Sequence, residues 1–81
     1  MLEVSVSSTF RDALGGEPSI AMDARTIREL LTRLGERYPA FEVHLREGVA
    51  VSINGEIFRD DWRQPIPEGA EVHLLPRIAG G

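Results

Sequence analysis

Apolar and polar residues alternate at the start of the chain. Leu2, Val4 and Val6 fall on one side of an extended segment, and Glu3, Ser5 and Ser7 on the other. This period of two predicts a half-buried strand reaching to about Phe10. Leu14-Gly15-Gly16 supplies a turn and Ser19-Ile20-Ala21-Met22 a short return, so the chain opens as an antiparallel pair. The period then changes. Ile27, Leu30, Leu31, Leu34 and Tyr38 recur at the spacing of one helix face. Thr26-Ile27-Arg28-Glu29 has the form of a capping box, in which the Thr26 hydroxyl accepts from an open N–H group and Glu29 reaches back. Pro39 stops the helix, because the residue before a proline is driven out of the helical region.

After a connection containing Phe41, Val43 and Leu45, alternation resumes at Val49-Ala50-Val51-Ser52-Ile53. Asn54-Gly55 provides two positive-φ positions for a tight hairpin, and Glu56-Ile57-Phe58 is the return. Asp60-Asp61-Trp62-Arg63-Gln64 reads as an irregular turn. Pro65 and Pro67 exclude a long strand there, and Pro67-Glu68-Gly69 forms another turn. The last strand carries Val72 and Leu74 on one side and Glu71, His73 and Leu75 on the other.

A helix with one apolar face needs one sheet to cover it. The first strand fits best inside that sheet, with the last strand parallel beside it. The expected fold is therefore α+β: a β-grasp, or ubiquitin-like, domain with a mixed four- to five-stranded sheet on one main helix. Residues 1–76 form this domain, and 77–81 a flexible tail. The expected core is Leu2, Val4, Val6, Ile20, Ile27, Leu30, Leu31, Leu34, Val49, Val51, Ile53, Val72 and Leu74. A ferredoxin-like sandwich would require a second full helix, which the Pro, Gly and Asp of residues 54–70 oppose.

Composition narrows the function. Eighty-one residues with 42% hydrophobic content support one small core. There is no cysteine, hence no disulfide, thiol nucleophile or cysteine metal site. A net charge of −4 argues against nucleic acid, which demands a basic footprint, and leaves docking to a basic partner open. No signal peptide or membrane span is visible, and a cytoplasmic location is expected. All nine cationic side chains are arginine, so no side-chain amine can accept an isopeptide bond.

The remaining chemistry lies at the end of the chain. Gly80-Gly81 follows the last strand through Arg77-Ile78-Ala79. Val51-Ser52-Ile53-Asn54-Gly55-Glu56-Ile57, followed by Ile66-Pro67-Glu68-Gly69-Ala70-Glu71-Val72 and the Leu74-Leu75-Pro76-Arg77-Ile78-Ala79-Gly80-Gly81 ending, resembles the MoaD/ThiS sulfur-carrier family. The family shares a V-N-G-E hairpin, a D-G-D-E-V turn and a P-x-x-x-G-G terminus. Ala70 departs from it by standing where an acidic residue is usual. The length and ending lie closer to MoaD, the small subunit of molybdopterin synthase, than to ThiS.

The resemblance implies that a ubiquitin-activating-type enzyme adenylates the Gly81 carboxylate with ATP, and that sulfur then displaces AMP to leave a thiocarboxylate. That group would deliver sulfur to a larger catalytic subunit or another sulfur-accepting enzyme, most readily in molybdenum cofactor biosynthesis. Thiazole, cysteine or another metabolite could receive it instead, or Gly81 could form isopeptide conjugates as a protein modifier. The chain would be a cosubstrate with no active site and no bound cofactor. Glycines at 80 and 81 suit a narrow channel, since neither carries a Cβ.

Leu75, on the outward side of the last strand, Ile78 and Phe58 are candidate partner contacts, with Arg77 a further possibility. His44 and His73 lie on different elements without nearby cysteine, so no metal site is expected. Asp60-Asp61 is expected to cap backbone, Trp62 to pack over the core edge, and Gly15-Gly16 to turn rather than bind phosphate. A β-grasp interaction module with an incidental tail is the remaining alternative.

Overall fold

The computed structural model describes residues 1–59 and 61–76. Its elements run β1 (Leu2–Val6), β2 (Ser19–Met22), α1 (Ile27–Arg37), α2 (Glu42–Glu47), β3 (Val49–Ile53), β4 (Glu56–Phe58) and β5 (Glu71–Pro76), with 3₁₀ turns at Ser8–Phe10, Asp12–Leu14 and Pro39–Phe41. The strands form one mixed five-stranded sheet in the order β2-β1-β5-β3-β4. β5 runs parallel to β1, with Val4 opposite Val72, and antiparallel to β3, with Val51 opposite Leu74. This is the expected β-grasp. The first strand lies inside the sheet as anticipated, although the central strand is the last one.

Alternation puts Val4, Val51, Val72 and Leu74 on the face that meets α1, all with no exposed surface. Leu30 and Leu34 of α1 are equally buried, and Ile27 and Leu31 nearly so. Burying each such side chain is worth about 1.5–3 kcal/mol, so the helix is held mainly by this stripe. Every residue of the expected core is buried. Phe10, Leu14, Met22, Ala24, Phe41, Ile66 and Ala70 join it.

Two expectations need correction. β1 ends at Val6 rather than near Phe10. The β2 ladder stops at Ser5↔Ser19, with the Val6 N–H donating to the Pro18 carbonyl at 2.9 Å. Beyond that point β2 offers no further partner, and the chain coils into 3₁₀ turns that drive Phe10 into the core. There it meets the Phe41 ring edge-on at 5.4 Å between centroids. The connection through Phe41, Val43 and Leu45 contains the short helix α2. Phe41 and Leu45, four residues apart, turn inward, whereas Val43 is 57% exposed.

The irregular stretch before β5 completes the start of α1. The Ile27 and Arg28 N–H groups donate to the Gln64 and Trp62 carbonyls at 3.0 and 2.9 Å. The Glu29 N–H donates to Thr26 Oγ1 at 3.1 Å, and Leu30 N–H begins the helical ladder on the Thr26 carbonyl. Each first-turn N–H is thereby satisfied. Glu29 reaches back as a capping box requires, although its carboxylate accepts from the Arg25 N–H, one residue before the cap.

Asn54 does a similar double duty in the β3–β4 turn. Its φ of +50° and the +90° of Gly55 are the two left-handed positions the dipeptide implied. Its N–H donates to the Glu71 carbonyl at 2.8 Å, and its Oδ1 accepts from the Glu71 N–H at 2.9 Å, fixing the start of β5. Asn54→Ala should therefore cost about 1–2 kcal/mol in urea unfolding, from the left-handed backbone and the lost bond. Thr26→Ala should cost about 1 kcal/mol through loss of the cap. Asn54→Gly should recover part of the loss, because it restores the backbone freedom but not the Oδ1 bond.

Candidate functional site

β5 carries the chain toward the Gly-Gly sequence from the centre of the sheet. It is held on one side by β1 and on the other by β3, where Pro76 lies opposite Val49 at the last described position. Arg77, Ile78, Ala79, Gly80 and Gly81, the tail on which the expected carrier chemistry would rest, lie outside the described residues, as does Asp60. The point from which the chain leaves the sheet is nonetheless fixed, by the β3 ladder as far as Pro76 and by the β1 ladder as far as Leu74.

The face of the sheet turned away from α1 forms the ground beside that exit. Register sets its contents. Glu3 and Ser5 of β1, Ser19 and Ala21 of β2, Ala50 and Ser52 of β3, Ile57 of β4, and Glu71, His73 and Leu75 of β5 share this side. Ile57, Ser52, His73, Ser5 and Ser19 make one straight cross-strand row. The face is polarised along β5. Glu3 and Glu71 are cross-strand neighbours at the end far from the tail. Ala50 and Leu75 pair at the end beside it, and Leu75 is half-buried. Two like charges placed opposite one another are unfavourable in the isolated chain, and a cationic partner group would relieve them.

Leu75 thus occupies the outward position expected of it. Phe58 does not join it. Phe58 pairs with Val51 and packs against the core from the helix side of the sheet. Ile57, 55% exposed, is the β4 residue on the outer face. Parity could have revealed this: in a hairpin closed by Asn54-Gly55, Ile57 lies opposite Ser52, which is out of phase with the core residues Val51 and Ile53. Ala50 and Ser52 were also missed as members of this face, although each is buried.

The other noted residues have separate roles. The His44 ring meets Phe10 edge-on and lies tilted against Phe41, at centroid distances of 4.9 and 5.9 Å, while His73 is exposed on the outer face. Among the described residues no group of three His, Cys, Asp or Glu side chains could hold a metal ion. Gly15 and Gly16 adopt φ of +79° and +78°, and the Gly16 N–H closes the turn onto the Arg11 carbonyl at 2.7 Å. The Asp61 carbonyl accepts from the Gln64 N–H at 3.2 Å. Trp62 lies beside α1 and is 44% exposed. Among the described residues no helix is long and apolar enough to cross a membrane.

A β-grasp fold with an exposed sheet face leading to a Gly-Gly terminus defines a ubiquitin-like class of protein. The sequence matches the ThiS family over residues 4–81, and the chain belongs to that family. A molybdopterin synthase sulfur carrier subunit of Pyrenophora tritici-repentis is 37% identical over 57 residues. The match spans 67% of this chain and 61% of that protein, so it covers less than two thirds of the relative. Among solved structures, CysO in the Amycolatopsis orientalis BexX/CysO complex superposes with a TM-score of 0.79 at 24% identity, over the whole of both chains. SAMP1 of Haloferax volcanii gives 0.72 at 21% identity, over 99% of this chain and 98% of its own. At these identities the structural likeness establishes the fold.

The assignment of faces can be checked by unfolding. Phe58→Ala should lower stability by about 1–2 kcal/mol, as expected for a partly buried aromatic. Ile57→Ser should stay within about 0.5 kcal/mol of the parent. The reverse order in urea titrations would invert the two faces.

Proposed function

We propose that this protein is a sulfur carrier that acts through the carboxylate of Gly81. The observation that carries the reading is the family match, which runs continuously from β1 through the Gly-Gly end. A carboxylate is a poor electrophile, because its charge and resonance repel a nucleophile. A ubiquitin-activating-type partner would overcome this by letting a Gly81 oxygen attack the α-phosphorus of ATP, with pyrophosphate leaving. Sulfide then attacks the acyl carbon, and AMP departs with the oxygen. Where a persulfide is the donor, its attack leaves an acyl disulfide, and a second thiol cleaves the S–S bond to release the thiocarboxylate and a donor disulfide. The resulting thiocarboxylate hands its sulfur to an acceptor enzyme, and the original carboxylate is regenerated.

The domain is a cosubstrate in this scheme, not a catalyst, and it works in the cytoplasm. Its contribution is placement. β5 holds the tail root, the Leu75 side of the outer face docks against the partner, and the glycines let the terminus enter a narrow channel. Ordering the tail costs about 1–2 kcal/mol per residue, which docking of the folded domain must offset. The name of the Pyrenophora relative favours molybdopterin synthesis as the destination, with a larger catalytic subunit receiving the tail. A second reading, conjugation of Gly81 to lysines of other proteins, draws on the likeness to SAMP1, whose name marks it as a small archaeal modifier protein in Methanosarcina acetivorans. This chain has no lysine, so conjugation could not build chains through its own side chains.

Intact mass spectrometry after incubation with ATP, the adenylating enzyme of the same organism and a sulfur donor tests the proposal. Exchange of one terminal oxygen for sulfur is expected. Unmodified carrier accompanied by higher-mass conjugates would favour the modifier. Gly81→Ala should retain the fold and lose most of the adenylation, because a methyl group is set beside the reacting carbon. Adenylation at the parental rate would sink the channel argument.

A further inference from the structure

A groove lies on the helical side of the domain, between α1, α2 and the turn before Pro65. Leu31, Gly35 and Leu45 give it apolar lining, Trp62 an aromatic one, and Glu36 and Glu42 two carboxylates. Its volume is about 220 Å³. Sites for small organic ligands usually enclose about 300–1,000 Å³, so this groove suits one side chain rather than a cofactor. Gly35 makes the space: a Cβ there would stand 3.1 Å from Leu45 Cδ1 and 3.5 Å from Glu42 Oε1.

No cationic residue lines the groove, and among the described residues neither Glu36 nor Glu42 has an ion-pair partner. Arg28 and Arg33 lie with Glu36 along the adjacent face of α1 without pairing with it, and two arginines of α1 are engaged elsewhere. Arg33 donates to the Asp23 carbonyl at 2.7 Å and pairs with Glu29 at 3.5 Å, and Arg37 lies over the Tyr38 ring at 5.3 Å. An apolar floor, a half-exposed indole and two uncompensated carboxylates call for a flat cation with an aliphatic stem. Guanidinium meets that description better than ammonium. It stacks on aromatic faces, carries less tightly held water and presents paired donors to a carboxylate.

We propose that this groove receives an arginine side chain from a partner protein, forming a docking point on the helical side of the domain, separate from the outer sheet face. The proposal goes beyond the sulfur-carrier reading and stands without it. The test is an NMR titration of the full chain with Nα-acetyl-arginine-methylamide, with the citrulline analogue as an uncharged probe of the same shape and the lysine analogue as an ammonium probe. Saturable shifts are expected at the Trp62 indole N–H, Gly35 and Leu45. Citrulline, and arginine with the Glu42→Gln variant, should bind about threefold to tenfold more weakly. Trp62→Leu should weaken arginine by a similar factor while its unperturbed amide spectrum elsewhere reports an intact fold. Equal binding of citrulline or lysine, insensitivity to Glu42→Gln, or shifts spread evenly over the chain's carboxylates would overturn the proposal.

Discussion

The pairing of β5 between β1 and β3 is the interaction on which the rest of the molecule depends. Without it the sheet would be two separate hairpins, β1–β2 and β3–β4, and an isolated hairpin is at best marginally stable in water. Inserting β5 joins them and aligns Val72 and Leu74 with Val4 and Val51 under the stripe of α1. The contact joins residues near the two ends of the domain, so it must close a long stretch of chain. That closure cost rises only logarithmically with length, by about 0.6 kcal/mol for each doubling. The apolar burial it permits is larger than that. The strand that closes the fold is also the one that leads to the tail. The stability of the sheet and the placement of the last described residue, Pro76, therefore rest on the same strand.

The irregular segment from Asp61 to Ile66 is the complement of this arrangement. It has little regular structure, yet its carbonyls satisfy the first N–H groups of α1 and its Ile66 is buried. It brings Trp62 against the helix flank, where α2 and Gly35 leave room beside it. The polarised outer face and the helix-side groove are consequently products of the same economy. A small domain cannot bury both faces of its sheet, and it cannot bury every aromatic side chain. What remains outside is available for partners.

Much of this was legible in the chain itself. The period of the hydrophobic pattern, the Thr26 cap and the Asn54-Gly55 turn are local signals. Each acts over a few residues, through backbone geometry and hydrogen bonding that need no distant partner. The membership of the ThiS family rests on the same kind of information, since its motifs are turns and a terminus. Phe41 and Leu45 at a spacing of four, with Gly48 following, could have announced α2, although six residues give a weak periodic signal.

Other features follow only from assembly. β1 ends at Val6 because β2 offers no further partner, which alternation along a single strand cannot express. Phe58 and Ile57 are both apolar, and which one faces the helix becomes legible only once the Asn54-Gly55 turn is used to pair β4 with β3. Pairing with Val51 and Ser52 decides it, because a shift of one residue in register exchanges the two faces. The groove under Trp62 likewise requires α1, α2 and the segment before Pro65 to meet around a glycine. By itself the sequence determined the elements, the fold class and the family, for each is written in short-range pattern. Tertiary structure alone decided which apolar residues stayed outside and what they stand beside, because burial is a property of the packed whole.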